Sequence, residues 1–174
     1  RLCFDPSGPL FRSRDGLSEF ELIFDEVFQA RAAAYRAIIE VLSSGRNTLS
    51  EISKQTGRSR SGVLSSYFHD LELAGYLREE PNFYVGRGER RGGYFRLRDN
   101  YLRFYLKYIE PRRKSIAQGR LRLSALENLP AWDAIQGLQF ENLILNNQPL
   151  VERALGIEGK VQQGGPYRQG ATQR

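Results

Sequence analysis

Residues 48–75 hold three helix boundary signals at fixed spacing, and they constrain the fold more than any other feature of the chain. Thr48-Leu49-Ser50-Glu51 is a capping box. The threonine hydroxyl accepts from the Glu51 amide, and the glutamate carboxylate reaches back to the amide of Thr48. The helix it opens is short, because Thr56-Gly57 supplies a left-handed stop. A second helix is predicted from about Ser59 to Ala74, with Leu64, Phe68 and Leu71 on one face and Gly75 at its end. Two short helices joined by a tight turn form a helix-turn-helix.

The flanks complete a larger unit. From about Asp25 to Ser43, apolar residues recur at helical spacing (Val27, Ala30, Ala34, Ile38, Val41, Leu42), and Gly45 closes that helix. After Gly75, Tyr76-Leu77-Arg78-Glu79-Glu80 leads into a glycine- and arginine-rich tip over 86–93. Tyr94-Phe95-Arg96-Leu97-Arg98 then alternates like a strand. Helix, short helix, turn, helix and hairpin is the winged helix-turn-helix order. The expected fold is therefore mainly α with a small β-hairpin wing over 25–98, followed by a helical segment over 99–174. Residues 1–24 read as a linker from a preceding domain, with a short helix near Phe20-Glu21-Leu22-Ile23-Phe24.

Beyond the hairpin, Asp99 is placed to cap an aromatic helix carrying Tyr101, Leu102, Tyr105, Tyr108 and Ile109, which stops before Pro111. Its periodicity points to core packing rather than a platform for base stacking. A basic loop, Arg112-Arg113-Lys114, comes next, and 121–128 suggest a short helix. Pro130 then opens a helix through Trp132, Ile135, Leu138, Phe140 and Leu143. The tail from 156 has little periodicity.

Charge narrows the partners. Residues 1–28 hold three basic and six acidic side chains, 29–98 twelve and seven, and 99–174 eleven and seven, so only the last two stretches are net basic. Those stretches suit a polyanion. One cysteine, Cys3, excludes an internal disulfide or a cysteine-rich zinc site. One histidine, His69, leaves metal or Cys/His chemistry without partners. No apolar run approaches the ~18 residues of a membrane span, and a cytoplasmic protein is expected. The sequence holds no Met, so it reads as a fragment or as one from which modified residues are missing.

If Leu64, Phe68 and Leu71 face inward, then Ser61, Gly62, Ser65, Ser66 and His69 face outward. Small hydroxyl residues allow close approach to a duplex. Arg58 and Arg60 stand at the helix start, where the helix dipole favours phosphate. Arg87, Arg90 and Arg91 in the glycine-rich tip suit phosphate or the minor groove. The expected partner is double-stranded DNA; docking against protein is the alternative use of the same surface. Glu141 has only Gly137, Leu138, Ile144 and Leu145 as helical neighbours, so it lies either at an exposed edge or where a cation meets it. Glu158-Gly159-Lys160 matches the short E-x-K element of nucleases, but without an apolar strand or upstream Asp it is rejected as catalytic. No G-x-x-x-x-G-K-[ST] sequence occurs, so nucleotide hydrolysis is not expected of this chain alone.

Several of these phrases occur together in one family. Gly8-Pro9-Leu10-Phe11, Leu49-Ser50-Glu51-Ile52, the run from Tyr67 to Tyr76, the run from Tyr94 to Tyr105, and Phe140-Glu141-Asn142-Leu143 make the chain resemble the C-terminal half of archaeal-type AAA ATPases over residues 8–155. In that family a P-loop ATPase precedes a winged helix and a domain similar to PD-(D/E)xK nucleases. The resemblance implies an upstream ATPase domain as a partner in the same chain, with ATP and Mg²⁺ as its cofactors. It also makes Glu141 the match to a glutamate on the first helix of the nuclease-like fold, a catalytic role only if that half is completed. The family's Asp and E-x-K strands are not in this chain. No cofactor is expected within it.

Overall fold

Apolar residues three and four apart become the inner face of the first described helix, α1 (Ala32–Ser43), which buries Ala34, Tyr35, Ile38, Ile39 and Leu42. The computed structural model describes Glu26 and residues 31–84, 88–121 and 125–160, with side chains throughout except at 81–84 and 88–92. The linker expected over 1–24, along with Val27 and Ala30, lies outside that description. Among the described residues the molecule is mainly helical, with one small three-stranded antiparallel sheet. None of the described helices is long and apolar enough to cross a membrane.

The boundary signals of 48–75 act as written. Thr48 Oγ1 accepts from the Glu51 amide at 3.2 Å and Glu51 Oε2 accepts from the Thr48 amide at 2.7 Å, opening α2 (Leu49–Thr56). Gly57 ends it at φ 66°. Helix α3 (Gly62–Leu73) buries Leu64, Phe68 and Leu71, and Gly75 follows at φ 79°. The sheet has the order β1 (Asn47–Thr48), β3 (Gly88–Leu97), β2 (Leu77–Tyr84). Strand β1 is a two-residue addition that the sequence did not signal; it pairs with Tyr94 and Phe95.

The hairpin is longer than expected. Most of the glycine–arginine segment belongs to β3, and residues 85–87 between the strands lie outside the described residues. Pairing runs regularly from Leu77↔Leu97 to Glu80↔Tyr94, then resumes at Asn82↔Arg90. Pro81 sits at the break. It has no N–H to give to the ladder, so pairing lapses there and β3 bulges.

Pro111 does not end the aromatic helix either. Asp99 caps α4 (Asn100–Phe104), accepting from Leu102 at 2.9 Å. The chain then widens into a π turn, Tyr105–Ile109, tightens into a 3₁₀ turn, Glu110–Arg112, and continues as α5 (Arg113–Ala117). A proline ring in a regular helix would strike the carbonyl four residues back. The wide turn removes that clash, with the Glu110 amide reaching Tyr105. The Arg112 guanidinium donates to the carbonyls of Lys107 and Tyr108 at 3.4 and 3.3 Å. Residues 112–114 are therefore helical, not loop. A 3₁₀ turn, Leu126–Asn128, leads to α6 (Trp132–Asn146) and α7 (Gln148–Ala154).

One core joins α1, α2, α3 and the sheet to Leu102, Tyr105, Leu106, Ile109 and Ile116. It runs across the position, 98/99, where the sequence suggested a change of domain. Phe68 of α3 and Phe95 of β3 meet within it, ring centres 4.3 Å apart. A smaller cluster of Tyr108, Leu129 and Ile135 seats α6.

Candidate nucleic-acid interface

Burial of Leu64, Phe68 and Leu71 leaves the opposite side of α3 to solvent. Ser61, Gly62, Ser65, Ser66 and His69 are all exposed there, with Arg60 exposed just before the helix. No carboxylate lies in the first turn, so the positive end of the helix dipole is uncompensated by side chains. Arg58 is half-buried in the turn between α2 and α3. That turn is fixed by the Arg58 amide donating to Ser53 at 3.1 Å and by Ser53 Oγ donating to the Arg58 carbonyl at 2.5 Å. Ser65 Oγ and Ser66 Oγ donate to the carbonyls of Ser61 and Val63 at 3.4 and 2.8 Å. Each hydroxyl must turn away from its own helix before it can donate to a phosphate.

A groove of about 510 Å³ runs between α3, the start of α2 and the sheet. Ser65, His69 and Glu72 line it from α3, Thr48 and Ser50 from the opposite wall, and Glu79 and Phe95 from the strands. Arg60 borders it as well. Its charge is divided: the Arg60 end is cationic, while Glu72 and Glu79 make the other end acidic. The Glu79 amide also donates to Glu72 Oε1 at 3.4 Å. The cationic surface read from the sequence is thus restricted, on α3, to the N-terminal half. Arg90 and Arg91 lie in β3, with Arg90 paired to Asn82, and their side chains fall outside the description. Arg87 does so entirely.

Glu141 on α6 is half-exposed and faces a cation, Arg46, at 3.8 Å. Arg46 also stands over the Tyr94 ring, 5.7 Å from its centre. Among the described residues no group of three His, Cys, Asp or Glu side chains could hold a metal ion. The residues described around Glu141 do not by themselves fit a divalent metal of the kind a completed nuclease half would hold.

Next to Glu141 is a buried polar cluster that the sequence did not reveal. Arg96 of β3 is 3% exposed and donates to Glu80 Oε1 at 2.7 Å, to Asn142 Oδ1 at 2.5 Å and to Asn146 Oδ1 at 3.1 Å. Arg103 of α4 is 1% exposed and donates to the Leu97 carbonyl at 2.9 Å. Burial, and then the charge of Arg96, lower its pKa to about 10 against the opposing pull of Glu141 and Asp99. Arg96 alternates with Phe95 and Leu97 and so lies on the opposite face of the strand, which α6 covers. One signal was present. Asparagine is a poor helix-interior residue, and Asn142 inside a helix calls for a partner.

The chain is similar to an uncharacterised protein of Methanocaldococcus jannaschii, 28% identical over 85 residues, which are 49% of this chain and 19% of that protein. No family model matches the chain. No solved structure matches it.

Proposed function

We propose that residues 31–98 act as a winged helix-turn-helix that binds double-stranded DNA, with α3 entering the major groove by its N-terminal half. The observation that carries this reading is the exposed row Arg60, Ser61, Ser65 and Ser66 at the start of a helix free of carboxylates in its first turn, with His69 exposed one turn further on. Small side chains bring the helix axis close to base edges, and arginine beside the helix start meets phosphate. Glu72 and Glu79 repel phosphate from the other end of the groove. The DNA backbone therefore crosses near Arg58 and Arg60, and Arg87, Arg90 and Arg91 of the hairpin take a neighbouring stretch.

Contacts to about three to five phosphates imply a log–log salt slope of roughly −3 to −4.5. Fluorescence anisotropy with a labelled duplex over a salt series measures it. Replacing Arg58 and Arg60 together by Glu is expected to weaken binding more than tenfold with the helical circular dichroism unchanged. A slope near zero, or unchanged affinity in that variant, would remove this surface from any DNA interface.

On this reading the module serves a longer cytoplasmic ATPase, passing nucleotide-driven changes from an upstream domain that binds ATP and Mg²⁺ to DNA. A second reading is favoured by one observation. Phe140 and Leu143 on α6, Leu150 on α7 and Leu155 just after it are all more than half exposed, which suits an assembly contact with that ATPase domain.

A further inference from the structure

The Arg96 cluster lies where the hairpin, the segment leaving it and α6 meet. Arg78, Glu80, Tyr94 and Arg96 share a face of the β2–β3 ladder, because residues two apart on paired strands point the same way. Glu80 is the last regular rung before the Pro81 bulge. Beyond it, the outer part of β3 carries Arg90 and Arg91. Arg96 ties that rung to α6 through Asn142 and Asn146. Asn142 Nδ2 in turn donates to the Leu97 carbonyl at 2.7 Å, the Arg98 carbonyl at 3.2 Å and Asn100 Oδ1 at 2.9 Å. A single amide thus holds both the end of β3 and the start of α4.

The choice of asparagine follows from the charges. Arg96 and Arg103 are both buried, and among the described residues Glu80 is the one buried carboxylate. Asn142 accepts from Arg96 and donates to backbone carbonyls at the same time. A carboxylate there has no protons for those carbonyls, and an aliphatic side chain neither accepts nor donates.

We infer that Asn142, acting through Arg96 and Glu80, is a positioning residue of α6 that fixes the base of the hairpin and so aims its arginine-bearing half relative to α3. The consequence for DNA rests on the reading proposed above; the consequence for the hairpin does not. Residues 44 positions downstream of the hairpin's last contacts therefore belong functionally to the recognition unit.

Hydrogen–deuterium exchange on the full chain tests this, using Asn142→Leu and the milder Asn146→Ala, whose partners are Arg96 and Arg98. Asn142→Leu is expected to speed exchange of the β2 and β3 amides at least tenfold while α3 amides stay within about twofold. Asn146→Ala is expected to give a smaller change confined to the same strands, and it decides the matter should Asn142→Leu fail to fold. Equal acceleration in α3 and the strands, or no change in either, would overturn the inference. Duplex affinity is read in parallel, with a loss of about tenfold expected for Asn142→Leu. If the unaltered chain binds no duplex while the exchange pattern holds, the DNA reading fails and the positioning role stands.

Discussion

A Cβ at Gly93 would lie 2.7 Å from both Glu79 Cγ and the Glu80 carbonyl oxygen. The glutamate side chain can swing away, but the carbonyl belongs to the ladder and cannot. At Gly137, in the interior of α6, a Cβ meets nothing within 4 Å. The same substitution should therefore have opposite signs at the two sites. Gly93→Ala is expected to destabilise by about 1–3 kcal/mol through overpacking. Gly137→Ala is expected to stabilise by about 0.5–1 kcal/mol, because alanine loses less chain entropy in a helix. Urea midpoints of the two variants check this, and a shared sign would contradict the close approach at the bulge. Both glycines look alike in the sequence. What separates them is the partner strand, which no local pattern encodes.

Helix α2 has eight residues, too few to persist alone in water, so its capping box carries weight beyond its size. Thr48→Ala removes the acceptor for the Glu51 amide and is expected to lower stability by about 1 kcal/mol. Chemical denaturation of the variant measures this, and a change below about 0.3 kcal/mol would mean that packing of Ile52 alone holds the helix. Elements of this kind were legible because their signals are local: a cap, a glycine stop, one buried stripe. The outward face of α3 was legible for the same reason, since fixing the inner face fixes the outer one. Four features were not. Strand β1 exists only because β3 lies beside it. The helix passes Pro111 only because a π turn and the Arg112 side chain accommodate the proline. The acidic half of the groove escaped notice because segment charge totals average Glu72 and Glu79 with arginines that lie elsewhere. Arg96 and Asn142 depend on α6 lying over the sheet, a contact between residues 46 positions apart.

At the scale of the whole molecule, the buried tyrosines that hold α1, α3, the π turn and α6 together also set where alkali unfolds it. Tyr35 donates to Asp70 Oδ2 at 2.5 Å, linking α1 to α3, and Tyr108 donates to the Pro130 carbonyl at 3.1 Å beneath α6. Burial is the leading cause that raises the pKa of Tyr35, Tyr76 and Tyr108 above the ordinary value near 10. As pH climbs past about 10 the unfolded chain releases these protons while the folded chain keeps them, so unfolding is favoured. Stability from the three groups is thus complete below pH 10 and lost above it. Arg103 acts with the opposite sign. Its folded pKa is depressed to about 10, so its buried charge costs stability at lower pH and that cost fades as the group deprotonates. The two contributions oppose each other above pH 10, and the tyrosine side is isolated by removing a single titrating hydroxyl. The melting temperature is expected to be flat from about pH 7 to 9 and to fall steeply above 10, with tyrosinate absorbance rising together with the loss of helical circular dichroism. Tyr108→Phe, which keeps the ring and removes the titrating hydroxyl, should make that fall shallower. Tyrosinate absorbance that rises fully while the helical signal is intact would mean these hydroxyls reach water in the folded protein, and the packing of α6 against the π turn would have to be redrawn.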